Sequence, residues 1–204
     1  MKPFNIIIAG VGGQGVITAG TLISEAAIKA GLNVVMSEIH GLSQRGGSVS
    51  VEVRIGEVYG PISPRAGFDL LLGFEPVETF RVLNSINANA KVIMNREKMT
   101  PISVSMKDEE YPDMTKLIAM VPGNPKIFEI DAVDIGKKAG SFRSANVVII
   151  GAALSLGIMP VDEKNVIDAL AERFSGKLLE INIRAMRLGM AELNESDSKL
   201  QIAH

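Results

Sequence analysis

The chain has 204 residues, of which 47% are hydrophobic and 22% are charged, and its formal net charge is -2. These values are typical of a soluble globular domain, and they exclude the basic excess of a nucleic-acid-binding protein. The sequence has no cysteine and only two histidines, His40 and His204. It therefore excludes disulfides, thiolate-ligated zinc and cysteine-ligated iron–sulfur clusters on this chain. We expect a cytoplasmic protein, because neither a signal peptide nor a membrane span is evident.

The first elements follow a β-α-β pattern. Residues 4–9 are a compact apolar run, typical of a buried parallel strand. Residues 15–30 carry apolar side chains at spacings of three and four, which predicts a helix that Gly31 would end. Residues 32–41 predict a second strand and complete the unit.

The next segment alternates in polarity, as a half-buried strand does. The apolar side chains of its buried face are Val49, Val51, Val53 and Ile55. Gly56 and Glu57 follow and suit a two-residue turn with glycine first. The sequence therefore predicts a β-hairpin between this strand and the segment "VYGPI", inserted into an otherwise alternating α/β pattern.

The alternation of strands and helices then resumes. Residues 68–76 predict a buried strand, and Pro76 begins a helix that we expect to run to about Asn87. The segment "KVIMN" predicts another strand. Residues 96–125 contain several prolines, so we expect short strands and a loop or mobile flap there. The segment "PKIFEIDA" predicts the last strand.

The carboxyl-terminal third is predicted to be helical. Asp131 is placed to cap a helix that ends before Gly140, and the apolar segment "SANVVIIGAALSLG" predicts a helix that ends at Gly157. Asp162 caps a further helix through Phe174. The last helix carries a single apolar stripe, whose members are Leu179, Ile183, Met186, Met190 and Leu193.

These elements predict a doubly wound, mostly parallel α/β sheet that is Rossmann-like, with an inserted β-hairpin and a helical carboxyl-terminal third. We expect a single domain over residues 1–193. Residues 194–204 lack the apolar stripe, so we expect them to form a flexible tail.

Gly10, Gly12 and Gly15 satisfy the pattern G-x-G-x-x-G between a predicted strand and a predicted helix. In dinucleotide-binding folds, such a turn brings backbone N–H groups and a helix N-terminus to a phosphate. Glu38 lies about twenty residues further on, where such folds place the acid that binds a ribose. A polar residue at a strand end explains Glu38 equally well.

Gln14 favours a second interpretation of the turn. Its amide is bulky enough to fill the space that a phosphate would take, and Gly13 makes the loop tighter than the pattern needs. The glycines would then allow close approach of a neighbouring chain, or of a cofactor on that chain. The turn by itself leaves both interpretations open.

A second glycine segment, "SEIHGLSQRGGSVSVEVRIG", is more specific. It places several polar and glycine residues in a loop at the carboxyl end of the second strand, where open α/β sheets bind ligands. These residues are His40, Ser43, Gln44, Arg45, Gly46 and Gly47. Arg45 suits a phosphate, a carboxylate or a partner subunit, and His40 suits either a hydrogen-bonded loop position or a general base.

Four segments together resemble a known family. They are "GVGGQGVITAG", "SEIHGLSQRGGSVSVEVRIG", "DLLLGFEPVETFR" and "GKLLEINIRAMRLGM". In this order they resemble the gamma-type domain of the 2-oxoacid:ferredoxin oxidoreductases, and most of all the small subunit of the indolepyruvate-type enzymes. The resemblance covers residues 4–193.

The resemblance implies an enzyme complex that oxidatively decarboxylates an aryl 2-oxo acid with coenzyme A and reduces ferredoxin. It implies that thiamine diphosphate, magnesium and the iron–sulfur clusters belong to a large alpha subunit, in an α2β2 assembly. We therefore expect no tightly bound cofactor and no metal on this chain, which would be inactive when isolated. Coenzyme A is a cosubstrate, and its phosphates suit the two glycine loops.

The candidate interface and cofactor-facing residues are Gly10, Gly12, Gly13, Gln14, Gly15, Ser43, Gln44, Arg45, Gly46 and Gly47. No catalytic residue is assigned with certainty, and His40 and Arg45 are the candidates for contact with reacting substrate. Glu75 lies at the same predicted edge, and a charge stabilised at a helix N-terminus explains it. The alternatives are a free-standing flavin- or nicotinamide-binding reductase and a non-enzymatic assembly module.

Overall fold

The computed structural model describes residues 1–41, 47–99, 111–119 and 125–202. Six strands in these residues form one sheet. They are β1 (Phe4–Val11), β2 (Val34–His40), β3 (Ser48–Ile55), β4 (Phe68–Gly73), β5 (Ile86–Asn95) and β6 (Ile127–Ile130). Their order across the sheet is β2-β3-β1-β4-β5-β6, so the first strand of the chain lies near the middle.

The helices in the described residues are α1 (Val16–Lys29), α2 (Pro76–Val82), α3 (Met114–Ala119), α4 (Ala132–Ala139), α5 (Ala145–Ser155), α6 (Glu163–Arg173) and α7 (Gly176–Ile202). Short 3₁₀ turns occupy Leu83–Ser85 and Phe142–Ser144. The helix α7 continues to Ile202, beyond the apolar stripe that predicted it. The flexibility expected of residues 194–204 stays a prediction.

Two helix starts follow the prediction closely. The side chain of Asp131 accepts a hydrogen bond from the Asp134 N–H at 3.2 Å, and that of Asp162 accepts one from the Asn165 N–H at 2.9 Å. Both aspartates therefore satisfy backbone donors that a helix N-terminus leaves free. Gly140 adopts a φ of 118° at the end of α4, where only glycine is unstrained.

The predicted hairpin turn at Gly56-Glu57 is wrong. The hairpin consists of β2 and β3, which pair antiparallel, and β3 also pairs antiparallel with β1. In the segment after β3, backbone carbonyls accept hydrogen bonds from side chains instead of from a strand. Arg54 donates to the carbonyls of Gly60 and Ile62 at 2.6 and 2.7 Å, and Asn33 donates to that of Val58 at 2.8 Å. The buried face predicted for β3 is confirmed.

The second half of the sheet differs from prediction in two places. The helix α2 ends at Val82, five residues before the expected Asn87, and β5 begins at Ile86. The helix α3 lies within 96–125, where short strands and a loop were predicted. Residues 100–110 and 120–124 of that segment lie outside the described residues, so the predicted flap stays a prediction there.

Both faces of the sheet are covered, which confirms the doubly wound α/β fold. Ile6 and Ile8 point to one face and pack with α1 and α4–α7, whereas Ile7 and Ala9 point to the other face and pack with the end of α2. Because β1 is buried on both faces, its sequence is a continuous apolar run. Across the described residues, no helix combines the length and apolar character needed to cross a bilayer.

The helices α5 and α7 cross with their backbones in contact. A Cβ atom placed on Gly151 would lie 2.0 Å from the Met186 carbonyl oxygen, and one placed on Gly189 would lie 2.1 Å from the Val148 carbonyl oxygen. Each helix therefore presents a glycine to a carbonyl of the other. No side chain fits between them.

This crossing predicts that Gly151→Ala and Gly189→Ala each destabilise the fold, because one methyl group would force the two backbones apart. We expect a loss of about 1–3 kcal/mol or more in the free energy of unfolding, measured by urea denaturation. Gly60→Ala is the matched control, because no heavy atom lies within 4 Å of the added Cβ. Equal stability of all three variants would contradict the described crossing.

Candidate functional site

The glycine turn lies where the connections between strands switch from one face of the sheet to the other. After β1 the chain passes to α1 on one face, and after the neighbouring parallel strand β4 it passes to α2 on the other face. A crevice opens between such strand ends, and open α/β sheets bind ligands there. The residues after the two strands, Gly12–Gly15 and Phe74–Glu75, surround this crevice.

The Gln14 side chain fills the crevice. Its Oε1 accepts a hydrogen bond from the Val11 N–H at 2.8 Å, and its Nε2 donates to the Phe74 carbonyl at 3.0 Å. We call this pair of contacts the Gln14 bridge. It follows directly after the last backbone hydrogen bond between the two segments, from the Phe74 N–H to the Ala9 carbonyl at 2.7 Å. The structure therefore supports the interpretation in which the amide fills the space of a phosphate.

Other backbone donors of the turn are also engaged by the protein. The Gly12 N–H donates to the Gly47 carbonyl at 2.9 Å, and the Gln14 N–H donates to the Val11 carbonyl at 3.1 Å. Gly13 differs, because it is exposed, its φ is 109° and no heavy atom lies within 4 Å of a Cβ placed on it. Gly13 is therefore the residue of the turn that another molecule can approach most closely.

Gly10 and Gly15 are required by packing inside the protein. A Cβ on Gly10 would lie 2.8 Å from Gln14 Oε1, and one on Gly15 would lie 2.9 Å from Asn146 Nδ2 on α5. The first contact shows that Gly10 makes room for the Gln14 bridge. The second shows that Gly15 lets α5 approach the start of α1.

Glu38 lies too far from the turn to act as the ribose acid of a dinucleotide fold. It pairs with Val51 of β3, and β3 separates β2 from β1. In a dinucleotide-binding fold these two parallel strands are neighbours. The inserted antiparallel strand therefore places Glu38 two strand spacings, about 10 Å, from β1.

The two glycine segments meet, as predicted, at the carboxyl edge of the sheet. The contact between Gly12 and Gly47 joins them, and His40 ends β2 opposite Val49. The His40 side chain lies outside the described part of the structure. Four further predicted site residues lie entirely outside the described residues, namely Ser43, Gln44, Arg45 and Gly46. Their roles stay predictions.

Glu75 is fully buried at this edge and caps α2. One carboxylate oxygen accepts a hydrogen bond from the Glu78 N–H at 3.0 Å, and the other accepts one from the Tyr111 hydroxyl. Burial raises the pKa of the Glu75 carboxyl above its ordinary value, and the hydrogen bond from Tyr111 opposes that rise. The expected helix-terminal position is present, but the burial was not foreseen.

Glu78 adds a second buried carboxylate to the same helix. Its Oε2 accepts a hydrogen bond from Ser48 Oγ at 2.6 Å, and its Oε1 lies 3.4 Å from Arg81 Nε. Ser48 lies within the second glycine segment, directly after Gly47. The contact therefore ties α2 to the segment that carries the predicted site residues. Sequence reasoning missed Glu78, although an acid in the apolar segment "FEPVETF" is a visible signal.

The chain matches the family model described as pyruvate ferredoxin/flavodoxin oxidoreductase over residues 5–192. The chain belongs to this family. It is 39% identical over 186 residues to indolepyruvate oxidoreductase subunit IorB of Archaeoglobus fulgidus, covering 91% of this chain and 92% of that protein. It is also 39% identical over 194 residues to the subunit of the same name from Methanothermobacter thermautotrophicus, covering 95% and 99%.

A solved structure of a larger enzyme contains the same fold. It is 2-oxoglutarate:ferredoxin oxidoreductase from Magnetococcus marinus with 2-oxoglutarate, coenzyme A and succinyl-CoA bound, at a TM-score of 0.72 and 22% identity. The match covers 94% of this chain and 31% of that one. Membership of the pyruvate ferredoxin/flavodoxin oxidoreductase family and the Gln14 bridge do not favour a free-standing flavin or nicotinamide reductase.

The Gln14 bridge predicts that Gln14→Ala destabilises the protein, because it leaves the Val11 N–H without its partner and leaves the Phe74 carbonyl only the hydrogen bond from Asn95 at 3.3 Å. We expect a loss of about 1–3 kcal/mol in the free energy of unfolding. Asn84→Ala is the control, since Asn84 is an exposed amide, and we expect it to change stability little. The free energy of unfolding of both variants is measured by urea denaturation. If Gln14→Ala is as stable as Asn84→Ala, the bridge does not hold the edge together.

The buried carboxyl predicts a pH-dependent difference between the wild type and Glu75→Gln. Because the pKa of Glu75 is raised on folding, its contribution to stability is fully present below the ordinary value of 4.5 and is lost as the pH rises through the raised value. Glutamine does not titrate. The stability of Glu75→Gln relative to wild type should therefore increase from about pH 4.5 upward, measured by thermal unfolding across pH.

Tyr111→Phe provides the second half of that experiment. It removes the hydrogen bond that lowers the pKa of Glu75, so the decline in stability should extend to higher pH than in the wild type. Parallel stability curves for wild type and Glu75→Gln would show that this carboxyl does not change its proton affinity on folding.

Proposed function

We propose that the chain is the small subunit of a thiamine-diphosphate-dependent 2-oxoacid:ferredoxin oxidoreductase, with indolepyruvate and other aryl pyruvates as substrates. In this reaction a 2-oxo acid and coenzyme A give acyl-CoA and CO₂, and the released electrons reduce ferredoxin. The observation that carries the proposal is 39% identity, over nearly full length, to subunits named for indolepyruvate oxidoreductase.

The composition supports a division of labour between two subunits. Without cysteine the chain cannot ligate an iron–sulfur cluster through thiolates. We propose, as the family resemblance implies, that the clusters, thiamine diphosphate and magnesium are held by a large alpha subunit, where the thiamine would supply the decarboxylation chemistry. The match to only 31% of the Magnetococcus marinus chain supports this proposal, because there the fold is one part of a longer enzyme.

The carboxyl edge of the sheet is the surface that we assign to the partner. Gly13 offers an open backbone there, while the Gln14 bridge holds the glycine turn in place and the Gly12 N–H donates to the Gly47 carbonyl. A preformed edge of this kind lowers the entropic cost of association. We propose that the edge contacts the large subunit in an α2β2 assembly and helps to position coenzyme A, with Arg45 as the anion-binding side chain. We also expect the complex to be cytoplasmic.

Coexpression with the large subunit tests the function. The complex, purified without oxygen, should reduce ferredoxin or a viologen dye in a reaction that needs indolepyruvate and coenzyme A, whereas each isolated subunit should be inactive. The activity is measured from the absorbance of the reduced dye. A lone chain that binds a flavin or shows nicotinamide-dependent reduction would overturn the proposal.

Arg45→Ala examines the second glycine segment in the same complex. If Arg45 binds an anionic group of coenzyme A, the variant should raise the KM for coenzyme A about tenfold or more, because charge-assisted hydrogen bonds are the strong ones. Arg65→Ala is the matched control, since Arg65 is exposed in the segment between β3 and β4, at the opposite edge of the sheet. Equal KM values for both variants would remove Arg45 from the site.

A further inference from the structure

A cavity of about 650 Å³ lies on the α1 face of the sheet, between the start of α1 and the start of α5. We call it the α5 cavity. Its walls are mainly apolar and include Phe74, Phe142, Phe174, Leu178 and Ile181. This size and lining are typical of sites for small organic ligands, which fill clefts of roughly 300–1,000 Å³.

Two buried polar side chains line the α5 cavity without a protein partner for their donors. Ser144 is 4% exposed and Asn146 is 7% exposed. Asn146 Oδ1 accepts the Val147 N–H at 2.9 Å, which leaves its Nδ2 group without an acceptor in the described residues. The Ser144 hydroxyl makes no capping hydrogen bond to α5, and it has no other hydrogen-bond partner among the residues that the structure describes. Neither donor is sealed inside the protein, because the fully buried side-chain atoms without a partner in the described residues are Ser63 Oγ and Glu78 Oε1. Both donors are therefore accessible from the cavity.

Other amides around the cavity donate to backbone carbonyls, whereas the Asn146 amide has no such acceptor in the described residues. Asn95 donates to the Phe74 carbonyl at 3.3 Å and accepts the Ala132 N–H at 3.0 Å. Asn182 donates to the Leu178 carbonyl at 2.9 Å. These amides hold the cavity walls, whereas Ser144 and Asn146 are available to a ligand.

The electrostatics of the cavity favour one negative charge. The helices α1 and α5 have 14 and 11 residues, and both start at its wall. Their N-cap residues, Gly15 and Ser144, make no side-chain hydrogen bond to them, although Asn146 Oδ1 accepts the Val147 N–H at the start of α5. Such helix ends attract anions. The charged lining residues are Glu97 and Arg143, and Arg143 is exposed, with its guanidinium 5.8 Å from the centre of the Phe142 ring. A doubly charged phosphate would therefore lack a buried cation to pair with.

The shape of the available donors favours a carboxylate over other anions. Its two oxygens match one hydroxyl donor and one amide donor, and the surrounding apolar walls suit an aromatic body. Phe142 and Leu178 are 58% and 59% exposed, so the lining also includes apolar side chains that solvent reaches and a ligand would cover.

We propose that the α5 cavity binds an aromatic monocarboxylate, with the carboxylate at Ser144 and Asn146 and the ring among the apolar walls. The inference does not depend on the proposed function, because it concerns a cavity formed by this chain alone. Its test needs no large subunit and no enzymatic activity.

Calorimetric titration of the full chain with indole-3-acetate tests the proposal. We expect saturable binding, with Ser144→Ala and Asn146→Ala each raising Kd about tenfold through loss of a hydrogen bond to a charged group. Ser155→Ala is the matched control, because Ser155 lies in the same helix and its hydroxyl already donates to the Ala152 carbonyl at 2.8 Å. It should leave Kd unchanged. Tryptophol, which carries a hydroxymethyl group in place of the carboxylate, should bind at least tenfold more weakly.

Amide chemical shifts of the wild type give a second measurement that does not rely on variants folding. Addition of indole-3-acetate should move the resonances of Gly15, Ser144 and Asn146 more than that of Gly60. The proposal is overturned by absence of binding at millimolar ligand or by equal Kd values in Ser144→Ala, Asn146→Ala and Ser155→Ala. The proposal is also overturned if adenosine monophosphate binds as tightly as indole-3-acetate or more tightly, because the cavity would then prefer a phosphate to a carboxylate.

Discussion

One side-chain amide determines what the sheet edge of this protein can do. The backbone hydrogen bonds between β1 and β4 stop at the carboxyl ends of these strands. There the chain passes from β1 to one face of the sheet and from β4 to the other. The Gln14 amide carries an acceptor and a donor in the same plane, so it satisfies the Val11 N–H and the Phe74 carbonyl as another peptide group would. A dinucleotide-binding fold leaves this crevice to its ligand, whereas here the protein fills it.

The antiparallel strand β3 has the second largest effect on the site. It separates β2 from β1, which moves Glu38 away from the glycine turn, and its connection to β2 brings a second loop to the same edge. The contact between Gly12 and Gly47 then joins the two loops. The fold therefore keeps the outline of a nucleotide-binding unit but presents two adjoining loops in place of a ribose acid and an open turn.

Much of the fold could be predicted from local sequence, because local rules decide it. The caps at Asp131 and Asp162 and the continuous apolar run of β1 each depend on residues within one element or its immediate neighbours. The failures depend on distant partners. Gly56-Glu57 has good turn chemistry, but strand pairing with β1 and β2 decides the topology. The start of β5, residues 86–90, lacks the apolar pattern of a strand because these residues are not fully buried.

The candidate site was predictable in position but not in its contacts. The glycine segments indicate the carboxyl edge, and Gln14 is anomalous for a phosphate turn even in the sequence. The burial of Glu75 and the approach of Asn146 to Gly15 arise from packing between elements far apart in the chain. Asn146 stands in an apolar segment, where a single amide at a helix start suggests a cap. No local pattern indicates that its amino group faces a cavity.

The glycine contacts between α5 and α7 have a mechanical consequence. At Gly151 and Gly189 the two backbones are in contact, so no side chain at these two points could change rotamer to absorb a displacement. The two helices should then move as one rigid lever, 27 residues long on the α7 side. A displacement of α7 would therefore move the start of α5 as well. Through the close contact between Asn146 and Gly15, it would also move the glycine turn.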